Sequence, residues 1–122
     1  MTINGVEVSF NIAEEVSNKR VMKALESVSK DSEVSKGKEG AEQIRIVCTS
    51  VKNAFDYIFG NGTGEKICGK ENDLNVCANA FADLIEEKNR QDEVLKQTTL
   101  RLMTAIGGGK DELSDRKTSG FY

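Results

Sequence analysis

No proline occurs anywhere in the 122 residues. Proline ends helices and blocks sheet ladders, so its absence lets helices run long and leaves punctuation to glycine. The glycines fall at Gly5, at Gly37 and Gly40, between Gly60 and Gly69, at Gly107 to Gly109 and at Gly120. The stretches between them are the candidate elements.

The first stretch opens with "TINGVEVSF". Asn4-Gly5 is a two-residue hairpin signal, because a type I′ turn needs positive φ at both central residues. Val6, Val8 and Phe10 alternate with polar residues, as in a half-buried strand. An isolated hairpin is marginal, so this one is expected to pack on helices or on another chain. Asn11 to Glu14 has the form of a capping box, with Asn11 as N-cap and Glu14 reaching back. The helix that follows is expected to bury Val21, Leu25 and Val28, with Ile12, Val16 and Met22 extending the stripe. It is expected to fade near Ser29 to Asp31 into the charged linker "KDSEVSKGKEG".

A second helix is marked by Ile44, Val47, Cys48, Val51, Phe55 and Ile58 on one face, widened by Ala54 and Phe59. Gly60 is placed to end it in a left-handed conformation. A third long helix is expected from Asn72 or Asp73 onward. Its apolar face carries Cys77, Ala80, Phe81, Leu84 and Ile85, and then "EEKNRQDE" interrupts the stripe. Helix propensity stays high through this run, so the helix is expected to continue exposed or to bend. Val94, Leu95, Leu102 and Ile106 form a thinner second stripe beyond it. Gly107 to Gly109 closes the regular structure. The pattern predicts a mainly α fold: an N-terminal β-hairpin, three helices and a glycine-rich αα-corner. A single helical domain over residues 1–106 and a flexible tail over 107–122 follow from it.

The stretch "FGNGTGEKICGKEND" invites a chemical interpretation. A Walker A loop needs lysine directly after its last glycine and a hydroxyl after that. Here Glu65 follows Gly64 and Ile67 follows Lys66, so the metal-binding hydroxyl is missing. A dinucleotide fingerprint also fails, because its third glycine would fall at Glu65. A structural zinc site usually draws four Cys or His ligands with one close pair. The chain has three cysteines and no histidine. Cys48, Cys68 and Cys77 are far apart in sequence, and Cys48 and Cys77 lie on apolar helix faces. They are expected to be reduced and metal-free, with Cys68 the one reachable by solvent. A corner remains. Gly60 ends one helix, Asn61-Gly62 turns the chain, Thr63 caps a short turn, Ile67 plugs the space beneath, and Gly69 releases the chain.

Without histidine, a general base near neutral pH would have to be a shifted carboxylate or lysine. Asp56, Asp83, Glu86 and Glu87 have the spacing of an ordinary solvated helix face, and Tyr57 that of a helix edge. No enzyme activity and no cofactor are expected. Seventeen basic residues against 20 acidic ones, with pI ≈ 5.1, offer no field for nucleic acid or an anionic membrane. No apolar run is long enough to span a bilayer, and no signal peptide is visible, so a cytoplasmic location is expected.

"INGVEVSF" followed by "AFDYIFGNGTGEKICGKENDLNVCANAFADLIE" resembles a family of small phage and prophage proteins of Gram-positive bacteria. The resemblance rests on Phe55, Asp56, Phe59, Gly60, Gly62, Thr63, Lys66, Ile67, Gly69, Asn72 or Asn75, Cys77, Ala80 and Phe81, and covers about Thr2 to Asn89. Cys68 stands where that family usually has an aromatic, and the tail lacks the family's basic ending. The resemblance implies a tail assembly chaperone of the bacterial host cytoplasm. Such a protein binds a long helical tape-measure protein until the tail tube polymerises around it. Val94, Leu95, Leu102 and Ile106 are expected to bury against such a client or against a second copy in a homo-oligomer. The competing expectation is a phage-encoded inhibitor of a bacterial defence system, an anti-CRISPR-like module that binds a host defence protein or imitates nucleic acid. Interleaved charge signs count against nucleic-acid mimicry.

Overall fold

The computed structural model describes residues 1–107, and the tail expected beyond Gly107 lies outside the described residues. The chain is mainly helical with a short N-terminal hairpin. Strands β1 (Thr2–Ile3) and β2 (Val6–Glu7) pair antiparallel, Thr2 with Glu7 and Ile3 with Val6. Asn4 has φ 49° and Gly5 φ 81°, the two positive values that the Asn-Gly signal demands. Main-chain bonds between Met1 and Val8 (2.9 and 3.0 Å) carry the pairing one step past the strands. Ile3 and Val8 are buried, and the Phe10 ring meets Phe59 at 6.1 Å. The Asn4 side-chain amide donates to the Ile67 carbonyl at 3.0 Å, so the turn is fastened to the corner. The marginal hairpin is therefore held by helices.

Helix α1 runs Glu15–Ser35. Its N-cap is Glu14, not Asn11. The Glu14 carboxylate accepts from the Val16 and Ser17 amides, while the Asn11 side chain accepts from the Ala13 amide. The physical reason is Ile12. It is buried at 3% exposure, with its carbonyl accepting from the Asn18 side chain, and seating it inside delays the helix by one turn. Helix α1 also passes the expected fade at Ser29 to Asp31. Nothing between there and Gly37 breaks a helix, and the buried Ser50 hydroxyl donates to the Asp31 carboxylate at 2.7 Å. Only Lys36 to Glu39 connects to α2, with Gly37 at φ 85°. Val21, Ala24 and Val28 are buried, Leu25 is half-buried, and Val16 and Met22 are exposed.

Helix α2 spans Gly40–Phe59, with the Glu39 carboxylate capping the Glu42 amide at 3.0 Å. It buries Cys48, Val51, Ala54 and Phe55. Gly60 ends it at positive φ but at 115°, 154°, an extended mirror-region conformation instead of the left-handed helical one. The short helix α3 (Thr63–Cys68) fills the corner, with Gly62 as its left-handed N-cap at φ 92°. Helix α4 runs Leu74–Gly107 without interruption, its first amides accepted by the Asp73 side chain. Gly107 is thus its last residue instead of the first of the tail.

Two compact units divide the chain, Met1–Lys88 and a second beginning at Asn89. The division lies inside the polar run Glu86 to Glu93, where apolar side chains are sparsest. The core of the first unit gathers Ile3, Val28, Cys48, Val51, Phe55, Ile67, Cys77, Ala80 and Leu84. Full burial of a side chain the size of Phe55 or Leu84 contributes about 1.5–3 kcal/mol.

Candidate protein-binding surface

The glycine corner is a packed structure with a physical use for each residue. Asp56, read from spacing as a solvated charge, accepts the Gly64 amide at 2.7 Å. That contact supplies the cap that Thr63 was expected to give, for α3 has no side-chain cap at Gly62. Gly64 lies directly on α2: a β-carbon there would stand 2.7 Å from the Lys52 Cα. Ile67 is buried as the plug, and Gly69 leaves α3 at φ 83°. The Lys52 ammonium donates to the carbonyls of Lys70 (3.3 Å) and Glu71 (3.0 Å) and to the Asn72 side-chain oxygen (3.1 Å).

Beneath this corner the three thiols meet. Cys48, Cys68 and Cys77 share one buried cluster, and all three are free. The expectation that solvent reaches Cys68 is corrected: it is 5% exposed, because α3 turns it inward beside Ile67. Burial, followed by the neighbouring Cys77 thiol, pushes the Cys48 thiol up to about 12. Cys68 rises to about 12 for the same reasons. Both thiols are poor nucleophiles near neutral pH. Among the described residues, no group of three or more Cys, Asp or Glu side chains is arranged to hold a metal ion.

In the first unit, α1, α2 and the start of α4 border an apolar groove of about 450 Å³. Its walls are Leu25, Val28, Val47, Val51, Phe81 and Ile85, and Ser29, Ser32 and Glu33 lie along one rim. Phe81 and Ile85 were expected on the apolar face of the last long helix. They are only half-buried. The three-helix concavity has no signature along the chain, since its walls come from segments far apart in sequence.

In the second unit, Val94, Leu102 and Ile106 are exposed at 53%, 51% and 62%. Leu95 is half-buried. Sequence reasoning missed Thr99 and Met103, which are buried at 7% and 2% exposure. The spacing that would have found them is Leu95, Thr99, Met103, successive fourth residues on one helix face. Among the described residues no helix is long and apolar enough to cross a membrane.

These features define a small, mainly helical protein with an N-terminal hairpin, a glycine-built corner and an apolar groove. The chain belongs to the DUF6673 family, a family of unknown function, whose model matches residues 4–116. No curated protein and no solved structure matches it.

Proposed function

We propose that the protein is a non-enzymatic assembly chaperone that binds an amphipathic helical client, of the tape-measure type, during phage tail assembly. The observation that carries this is the apolar groove of about 450 Å³ in the first unit. Helix-in-groove recognition needs an apolar trough with a polar rim, into which the anchors of one helix face can settle. The groove supplies the trough with Leu25, Val47, Phe81 and Ile85, and the rim with Ser29, Ser32 and Glu33. The exposed row Val94, Leu102 and Ile106 adds a second apolar strip for a long client. The client's type comes from the sequence resemblance.

A photo-crosslinking amino acid at Ser32 tests the proposal during co-expression with the tape-measure protein of the same genome. The expected result is a crosslink to that protein at Ser32 and none at the exposed control position Lys38. Crosslinks equal at both positions, no adduct, or an adduct to a host defence protein instead would overturn it.

A further inference from the structure

A second concavity, about 210 Å³, lies between α1 and α2, lined by Lys23, Ala24, Ser27, Asn53, Ala54 and Tyr57. Helical periodicity places Lys23 and Ser27 on the opposite side of α1 from Leu25, Ser29 and Ser32, so this site faces away from the apolar groove. Tyr57 is 47% exposed. Two cations address its ring: Arg20 at 5.9 Å and Lys23 at 5.8 Å from the centroid. Their neighbours on α1 are already paired, Lys19 with Glu15 at 3.5 Å and Lys30 with Glu26 at 3.0 Å. No carboxylate among the described residues pairs with Arg20 or Lys23.

We propose that this face docks an acidic protein segment in which Asp or Glu residues flank a leucine-sized apolar side chain. The apolar side chain enters between Ala24, Ala54 and the Tyr57 ring, and the carboxylates meet Arg20 and Lys23. Ser27 and Asn53 stand ready to hydrogen-bond the segment's backbone. Charge complementarity selects the occupant. An aromatic ring flanked by two cations without carboxylate partners attracts anions, and the small apolar floor suits one aliphatic group. A nucleic-acid strand fits less well. Within Met1–Lys88 there are 15 acidic residues against 11 basic ones, and backbone phosphates require a broad positive field. The site lies away from the groove and stands independently of the function proposed above.

The test is a titration of isotope-labelled full-length protein with a short synthetic peptide carrying one leucine between glutamates, followed by amide NMR. The expected result is saturable shifts centred on Lys23 to Ser27 and Asn53 to Tyr57, which shrink as salt rises. A peptide with glutamine in place of glutamate should produce no saturable shifts. Arg20→Glu with Lys23→Glu should weaken the glutamate peptide by about ten-fold or more, at unchanged circular dichroism. If that variant misfolds, Arg20→Gln with Lys23→Gln serves, with a smaller weakening expected. The proposal is overturned if the glutamine peptide binds equally, if the shifts centre on Leu25, Val47 and Phe81, or if no peptide binds. It is also overturned if an oligothymidine strand saturates the site and the peptide does not.

Discussion

Gly64 rests on the backbone of Lys52, with room at its Cα for hydrogen and nothing larger. The obstacle is main chain, which cannot swing aside like a flexible side chain. Gly64→Ala should therefore force α3 off α2 and destabilise the protein by about 1–3 kcal/mol, the usual cost of overpacking. Gly62→Ala meets open space and costs only its left-handed backbone strain, about 1–2 kcal/mol. Urea unfolding of both variants is the measurement. A Gly64→Ala protein as stable as wild type would show that the corner is not packed as described.

Asp56 and the Gly64 amide form the cap of the same corner. Asp56→Ala should cost about 0.5–2 kcal/mol, in the range for losing an N-terminal cap. Asp56→Asn keeps an acceptor oxygen and should recover most of the loss. Thr63→Ala, by contrast, should be nearly silent, since Thr63 makes no cap bond to α3. Thermal melts of the three variants rank them.

The hairpin turn is joined to the corner through Asn4. Asn4→Ala removes both the side chain's bond to the Ile67 carbonyl and a residue tolerant of positive φ, and about 1–2 kcal/mol should be lost. Gly5→Val should cost about 1 kcal/mol or more from strain at φ 81° alone. Hydrogen exchange at the Val8 amide, which bonds Met1, should quicken in both variants.

Leu102 and Met103 are sequence neighbours with opposite surroundings, 51% and 2% exposed. Leu102→Asp together with Val94→Asp should preserve helical circular dichroism and melting temperature while weakening client binding. Met103→Asp should lower stability by about 3 kcal/mol or more, because a charge is forced into a buried position. Equal losses of stability from both replacements would mean that the exposed strip is part of the core.

The buried thiols fix a pH dependence. Cys48 and Cys68 are held near 12 in the folded protein against an ordinary value of 9.0. A raised acid favours the folded state below the unfolded pKa. Above about pH 9 the unfolded chain sheds thiol protons that the folded chain keeps, and stability falls until the folded thiols ionise as well. Cys68→Ala should flatten the stability profile over that alkaline window relative to wild type. A disulfide-exchange reagent at pH 8 should react slowly with native protein and at once in denaturant.

What the sequence disclosed follows the range of the forces involved. Asn4-Gly5, Gly60, Gly62 and Gly69 were legible because positive φ is a local demand that few residues meet. The face of α2 was legible because its apolar spacing is regular. The cap of α1 was not, because Asn11 and Glu14 are both good acceptors and the burial of Ile12 decides between them. The length of α1 was concealed by a polar run that has a linker's composition and a helix's propensity. The meeting of Cys48, Cys68 and Cys77, the fit of Gly64 on Lys52 and the groove are contacts across distance in the chain, and no spacing rule announces them. Of the four residues assigned to an exposed strip, three are exposed. Leu95 turns instead toward the line of Thr99 and Met103.

Lys52 holds the far end of the corner with its ammonium, and each of the three oxygens that receive it belongs to an uncharged amide. Acid has no carboxylate to neutralise in this clasp, and the bonds involve no opposing ion for dissolved salt to replace. The Lys52 clasp is therefore insulated from the changes of acidity and ionic strength that would loosen an ion pair, whereas the Asp56 and Asp73 caps on either side of it depend on ionised carboxylates. The Lys52 clasp should hold equally in dilute buffer and at high salt.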